Sequence, residues 1–191
     1  MKKILQTLTL LMCFLNQSIY AEEIGGIEFE AVILEDGTYE VWVCPLQNGK
    51  KYKGKVIIPE TINILDRLLK VTKIDFEAFS DCTELTSVVM PNTIKCIESG
   101  AFFACTGLTT ITIPNSVTNI GNYAFSYCES LTSITIPSSV TVIGSGAFEG
   151  STGFIEIISL IKEPFAISYC WDYYLNRDIP LYVPKGTKEL Y

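Results

Sequence analysis

The dipeptide Ala-Phe returns every 23 residues, at Ala78-Phe79, Ala101-Phe102, Ala124-Phe125 and Ala147-Phe148. A cysteine follows the first three, at Cys82, Cys105 and Cys128, and a leucine comes three residues later, at Leu85, Leu108 and Leu131. The alternating strings SVVMP, TITIP and SITIP come next and end in Pro91, Pro114 and Pro137. A fixed period of this length means stacked units, none of which can bury its apolar face alone. That constrains an architecture and leaves the ligand open.

One unit can be read from Leu131 onward. Ile134 and Ile136 alternate with Ser133 and Thr135, the period-two pattern of a strand with one buried face. Pro137 lacks the N–H a ladder needs and ends the strand. Ser138-Ser139 predict a turn, Val140 and Ile143 return to the core, and Gly144 relaxes the backbone for the next bend. Ala147-Phe148 then opens a short helical or 3₁₀ turn; in the unit before, Ala124 and Phe125 lie four and three residues from Cys128, so all three can face inward from such a turn. Stacking at the ~4.7–4.9 Å strand spacing makes a parallel sheet, with Phe79, Phe102, Phe125 and Phe148 as one buried column.

The unit LxxIxIPxxVxxIGxxAFxxC resembles the BspA-like class of leucine-rich repeats, found on secreted and surface proteins of bacteria and some protists. The resemblance is carried by three nearly complete units and extends into both flanks. It implies a mainly β fold: a right-handed solenoid with a parallel sheet, short helical or 3₁₀ turns and a β-hairpin N-terminal cap. It also implies no catalysis, no cofactor, and a role in adhesion or protein binding.

Lys2-Lys3, the apolar run Ile4 to Leu15 and a polar stretch ending at Ala21 form the pattern of a secretory signal peptide, too short for a membrane anchor. Cys13 is not read as a lipidation site, because Leu10-Leu11-Met12 precede it where a small residue is required. The reading divides the chain into a signal peptide, 1–21, and one leucine-rich repeat domain, 22–191. In that domain 22–58 form an N-terminal β cap, 59–157 the repeats and 158–191 a C-terminal cap. The expected location is secreted, at the cell surface or in the periplasm. The net charge of −7 becomes −9 once Lys2 and Lys3 are removed. A surface of that sign repels phosphate backbones and anionic lipid, so neither nucleic acid nor peripheral membrane binding is expected, and no membrane span is expected either.

Within the N-terminal block, GIEFEAVIL and YEVWVC flank Glu35-Asp36-Gly37-Thr38, a strong hairpin signal, and KVIIP reads as a third strand. Relative to the later units, ETINILDRL is an insertion and is expected as a loop, like the one the family carries in its first coil. Beyond Ile157 the period fails. KEPFAI and LYVPKGTKELY resemble the family's terminal unit, which in relatives continues further into a short helix. Two expectations stand: either the C-terminal cap is truncated, or Tyr169, Trp171, Tyr173 and Tyr174 cover the last coil themselves. An edge left open there would allow self-association.

Six cysteines follow the leader: Cys44, Cys82, Cys96, Cys105, Cys128 and Cys170. Stacked units would hold Cys82, Cys105 and Cys128 within disulfide reach, but buried column positions favour small free thiols. No metal site is expected, since the chain has no Cys-x-x-Cys pair and no histidine. The lack of histidine also removes the usual partner of a thiol nucleophile, and no catalytic residue is assigned. Glu22-Glu23, Glu28-Glu30 and Glu35-Asp36 read as solvated strand and turn positions.

Between Thr86 and Phe148 only Lys95, Glu98 and Glu129 carry charge. The outward strand positions form two columns there: Ser87, Thr110 and Ser133 in one, Val89, Thr112 and Thr135 in the other. Rows of hydroxyls and methyls without charges cost little to desolvate, which makes this the candidate face for a protein partner. A glycan-binding module or a passive envelope scaffold are the alternatives. For glycans the repeats offer only Phe103, Tyr123 and Tyr127, off the Ala-Phe turns.

Overall fold

The computed structural model describes residues 17–34, 36–64, 66–162 and 181–185, with side chains from residue 23 onward except that of Leu181. Among these residues the chain is built almost wholly of strands and turns. The strands are β1 (Gln17–Ile24), β2 (Ile27–Ile33), β3 (Tyr39–Cys44), β4 (Gly54–Ile57), β5 (Thr61–Ile64), β6 (Arg67–Ile74) and β7 (Leu85–Val89). They continue with β8 (Cys96–Ile97), β9 (Thr110–Ile111), β10 (Asn119–Ile120), β11 (Ser133–Ile136), β12 (Val142–Ile143), β13 (Glu156–Ser159) and β14 (Leu181–Tyr182).

The repeats pair in parallel on two sides. On one side lie β4-β7-β9 and β11-β13-β14, which contain the expected alternating strings. On the other, the end of β6 and the two-residue strands β8, β10 and β12 form a second ladder, in the register Lys73↔Cys96↔Asn119↔Val142 and Ile74↔Ile97↔Ile120↔Ile143. Only the first ladder is legible as strand in the sequence, because two-residue strands are too short to show alternation. Between the two sides, the carbonyls of Pro91, Pro114 and Pro137 accept from Ile94, Val117 and Val140 and close the expected turns.

The N-terminal strands extend the second ladder. β1, β2 and β3 are antiparallel neighbours, and β3 then pairs in parallel with β6, with a bulge between Val41 and Trp42. Asp36 holds the β2–β3 turn by accepting from the Thr38 N–H at 2.9 Å and its hydroxyl at 2.6 Å. β4 does not join this hairpin; it pairs with β7. The insertion expected as a loop is itself a hairpin, β5 against β6, in the register Thr61↔Lys70 to Ile64↔Arg67. Alternation explains it: Ile62 and Ile64 are buried while Asn63 between them is exposed. Ala21, the expected last residue of the leader, lies within β1, opposite Glu30 of β2.

The core is one cluster that runs through hairpins and repeats alike. The phenylalanine column is present as expected, with near-parallel rings and centroids 4.9, 5.2 and 5.8 Å apart from Phe79 to Phe148. Tyr52 covers its first ring at 4.6 Å, and Phe154 meets its last edge-on at 6.2 Å. Tyr52 is fixed in turn: its hydroxyl donates to the Cys44 carbonyl at 2.7 Å and accepts from the Glu28 N–H at 3.0 Å.

The Ala-Phe turns are not helical, contrary to expectation. Glu77, Gly100, Tyr123 and Gly146 all have φ between +53° and +65°, and Asp81, Ala104, Tyr127 and Gly150 repeat this four residues on. Two left-handed residues per turn exclude a helix. The backbone instead alternates its hydrogen bonds. Glu77, Phe79 and Asp81 donate to Ser99, Ala101 and Phe103 of the next unit, while Ala78, Ser80 and Cys82 donate within the turn. The turn thereby satisfies its own donors and adds a third ladder between units. Among the described residues the 3₁₀ element is Gln47–Gly49, outside the repeats.

Candidate functional site

Three surfaces follow from this arrangement. The first is the candidate strand face. The structure brings all six sequence-derived residues together on one side: Val89, Thr110, Thr112 and Thr135 are exposed, Ser87 and Ser133 half-buried. Ser87 sits opposite Thr110 across β7–β9, and Thr110 and Ser133 are equivalent positions on the adjacent strands β9 and β11. Register extends both columns past what the sequence marked. Lys55 lies beside Ser87 and Glu156 beside Ser133, so the first column has a cation at one end and an anion at the other. In the second column Ile57 lies beside Val89, and Ile158 beside Thr135 with Tyr182 beyond it. Ile57 is 60% and Tyr182 54% exposed, so the hydroxyl-rich centre is flanked by apolar side chains at both ends. These were not marked because they lie outside the regular units.

The second surface is the turn ridge. Tyr123 and Tyr127 are exposed and their rings lie over Gly146 and Gly150 of the next unit, where a Cβ would come within 2.6 Å of the ring. Phe103 meets Tyr127 edge-on at 5.6 Å. Phe103 and Tyr127 thus meet across units, and both tyrosines rest on glycines.

The third surface lies where the N-terminal hairpin joins the repeats. Phe29, Ala31, Val41 and Val43 turn into the core, so Glu28, Glu30, Trp42 and Cys44 share the opposite face. The Cys44 thiol donates to Glu30 Oε2 at 3.5 Å and lies 4.0 Å from Asp75 Oδ2 and 3.7 Å from the Trp42 carbonyl. Lys73, over the Trp42 ring at 3.8 Å, pairs with Glu98 Oε1 at 3.0 Å and with Asp75 Oδ1 at 3.5 Å. Cys96 extends the network, donating to Glu98 at 3.4 Å and accepting from the Asn119 amide at 3.1 Å.

Burial, then the charges of Asp75 and Glu30, push the Cys44 thiol far above its ordinary pKa. Cys96 is pushed up to about 11, chiefly by burial. Burial opposes the charge on Lys73, but its hydrogen bond and attraction to Glu98 prevail and raise it. Glu28 and Glu30, expected as solvated strand positions, are buried and half-buried, beside Trp42 and Cys44 of the neighbouring β3. Their alternation with Phe29 and Ala31 showed which way they point; their convergence with Asp75 depends on the β3–β6 pairing, which no local pattern announces.

The five cysteines among the described residues are free. Cys170 and the four aromatics Tyr169, Trp171, Tyr173 and Tyr174 lie outside those residues. No described helix is long and apolar enough to cross a membrane.

Comparison with known proteins agrees with the repeat. No curated protein matches the chain. Among solved structures, a leucine-rich repeat protein from Bacteroides capillosus ATCC 29799 is similar at 25% identity and a TM-score of 0.61, over 73% of this chain and 97% of that one. A leucine-rich repeat protein of T. pallidum is similar in fold at 24% identity and a TM-score of 0.52, over 68% of each chain. Both are named as repeat proteins and neither as an enzyme. The profile described as BspA type leucine rich repeat region matches residues 56–170 in six copies. With more than half of its length covered by that profile, the chain belongs to the BspA-type leucine-rich repeat family.

Proposed function

We propose that the protein is a secreted or surface-exposed binding module that captures a protein partner on the strand face of Ser87, Val89, Thr110, Thr112, Ser133 and Thr135, without catalysis. The observation that carries this reading is the continuous, charge-poor double column, closed at its ends by exposed Ile57 and Tyr182. A polar centre with few charges and apolar flanks suits an extended peptide or a flat protein surface, where desolvation is cheap and main-chain-like hydroxyl contacts are dense. The leader pattern of 1–21 supports export. The arrangement of the ladders supports a right-handed solenoid with β2 and β3 as its N-terminal cap, since an uncovered end would expose strand edges. Adhesion to host matrix or to another surface protein is the corresponding biological role, and association through the β14 edge a secondary one.

A double substitution, Thr112→Lys with Thr135→Lys, tests the site. Screening against matrix proteins and a glycan array first identifies the partner. The double variant is expected to lose at least about tenfold in affinity, the equivalent of ~1.4 kcal/mol, while melting as the parent does. Unchanged affinity in the folded variant would move the site to the ridge of Phe103, Tyr123 and Tyr127. Selective retention of glycans that is lost in Tyr123→Ala would favour the carbohydrate reading.

A further inference from the structure

The junction between β2, β3 and β6 holds a group of side chains that the strand-face reading does not use. We propose that Glu30, Cys44 and Asp75 form a binding site for one divalent cation of zinc-like softness, which ties the N-terminal hairpin to the first repeat strand. Their ligand atoms, one from each residue, all lie within 4.8 Å of one another.

The geometry fits a tetrahedral ion. With Zn–S near ~2.3 Å and Zn–O near ~2.1 Å, a sulfur and an oxygen on the same zinc stand about 3.6 Å apart. The Cys44 sulfur is 3.5 Å from Glu30 Oε2 and 4.0 Å from Asp75 Oδ2, on either side of that value. The two oxygens of Asp75 are divided between two tasks, since Oδ1 faces Lys73 at 3.5 Å and Oδ2 faces the thiol. Lys73 is further committed to Glu98 at 3.0 Å, which leaves Oδ2 available to a metal.

A second, independent observation concerns Glu28. It is only 7% exposed and sits directly opposite Cys44 in the β2–β3 register, so its carboxylate adds to the negative charge around the thiol. Carboxylates drawn together beside one thiol repel one another. A dication among Glu30, Cys44 and Asp75 relieves that repulsion without needing Glu28 as a ligand. The thiol selects for a softer ion than calcium or magnesium, and one thiolate with two carboxylates leaves a fourth position for water. On binding, the sulfur–metal bond replaces the S–H bond and the proton leaves to solvent. Glu30 and Asp75 are half-buried and open a path for the ion, whereas Cys44 is only 6% exposed. The sequence conceals the site because Cys44 lies 14 residues from Glu30 and 31 from Asp75, with Glu30 on β2, Cys44 on β3 and Asp75 just past β6.

The test uses the purified full chain in metal-free buffer, titrated calorimetrically with Zn²⁺ and spectroscopically with Co²⁺. One equivalent of Zn²⁺ should bind and raise the melting temperature, and Co²⁺ should give a thiolate charge-transfer band. Cys44→Ser should abolish the band and weaken Zn²⁺ at least about tenfold. Glu30→Gln, on the half-buried rim, should weaken Zn²⁺ about tenfold and keep the band. Cys96→Ser should change neither. Absence of saturable binding and of the cobalt band in the parent chain would overturn the proposal, as would Zn²⁺ affinity unchanged in a folded Glu30→Gln variant. These outcomes are independent of partner capture on the strand face.

Discussion

At the scale of single residues, the cysteine column has a specific role that its period alone does not reveal. The thiol of Cys105 donates to the Phe79 carbonyl at 3.0 Å, and that of Cys128 to the Phe102 carbonyl at 3.2 Å. In the fourth unit Ser151 takes the same place, donating to the Phe125 carbonyl at 2.6 Å and accepting from the Cys128 N–H at 3.0 Å. The column is therefore a set of short donors that bind each phenylalanine turn to the one before it. Cys128→Ser should consequently be near neutral. Cys128→Ala should cost about 1–2 kcal/mol, since one donor to a buried carbonyl is lost while the Cys105 N–H still reaches it. Denaturant unfolding of the two variants decides: equal stabilities would show that the sulfur acts by volume alone. The period made the column visible, but the acceptor belongs to the preceding unit, so only stacking identifies the bond.

Among the elements, the Ala-Phe turn departs furthest from what its local spacing implies. Phe125 and Cys128 are placed as in a helical turn, yet the residues bracketing the inward ones are left-handed. Glycine fills such positions without strain at Gly100, Gly146 and Gly150, whereas Ala104 adopts φ +54° with a Cβ. Ala104→Gly should therefore stabilise the protein by up to about 1 kcal/mol, the left-handed penalty being partly offset by the greater entropy of an unfolded glycine. A lower urea midpoint for that variant would contradict the turn geometry. Gly144 illustrates a different requirement. It is needed not for a bend but because a Cβ there would lie 2.4 Å from the Asn122 backbone nitrogen, and Gly121 is equally close to Ser99.

For the whole molecule, the buried thiols set a pH limit. Burial raises Cys128 to about 12 from an ordinary 9.0, and raises Cys82 and Cys105 as well. Below the ordinary value both folded and unfolded chains keep these protons. Above it only the unfolded chain releases them, so stability falls as pH rises, by about 1.4 kcal/mol per unit for Cys128 until its folded value is reached. Urea midpoints measured from pH about 7 to about 11 should fall steeply beyond about 9, and less steeply in Cys128→Ser. A midpoint that holds level over that range would show the thiols to be solvated.

What the sequence by itself determined is whatever recurs within one unit: the strand strings, the Pro-terminated turns, the phenylalanine column and the outward hydroxyls. A period of 23 residues forces equivalent residues into equivalent places, so one unit read correctly predicts the next. Tertiary structure alone decided how non-repeating segments attach. The pairing of β3 with β6 depends on contacts between segments of unrelated spacing. Strand alternation fixes which face a residue takes but not which strand lies beside it. For that reason Glu28, Glu30, Cys44 and Asp75 stand apart along the chain, and come together only when the sheet is assembled.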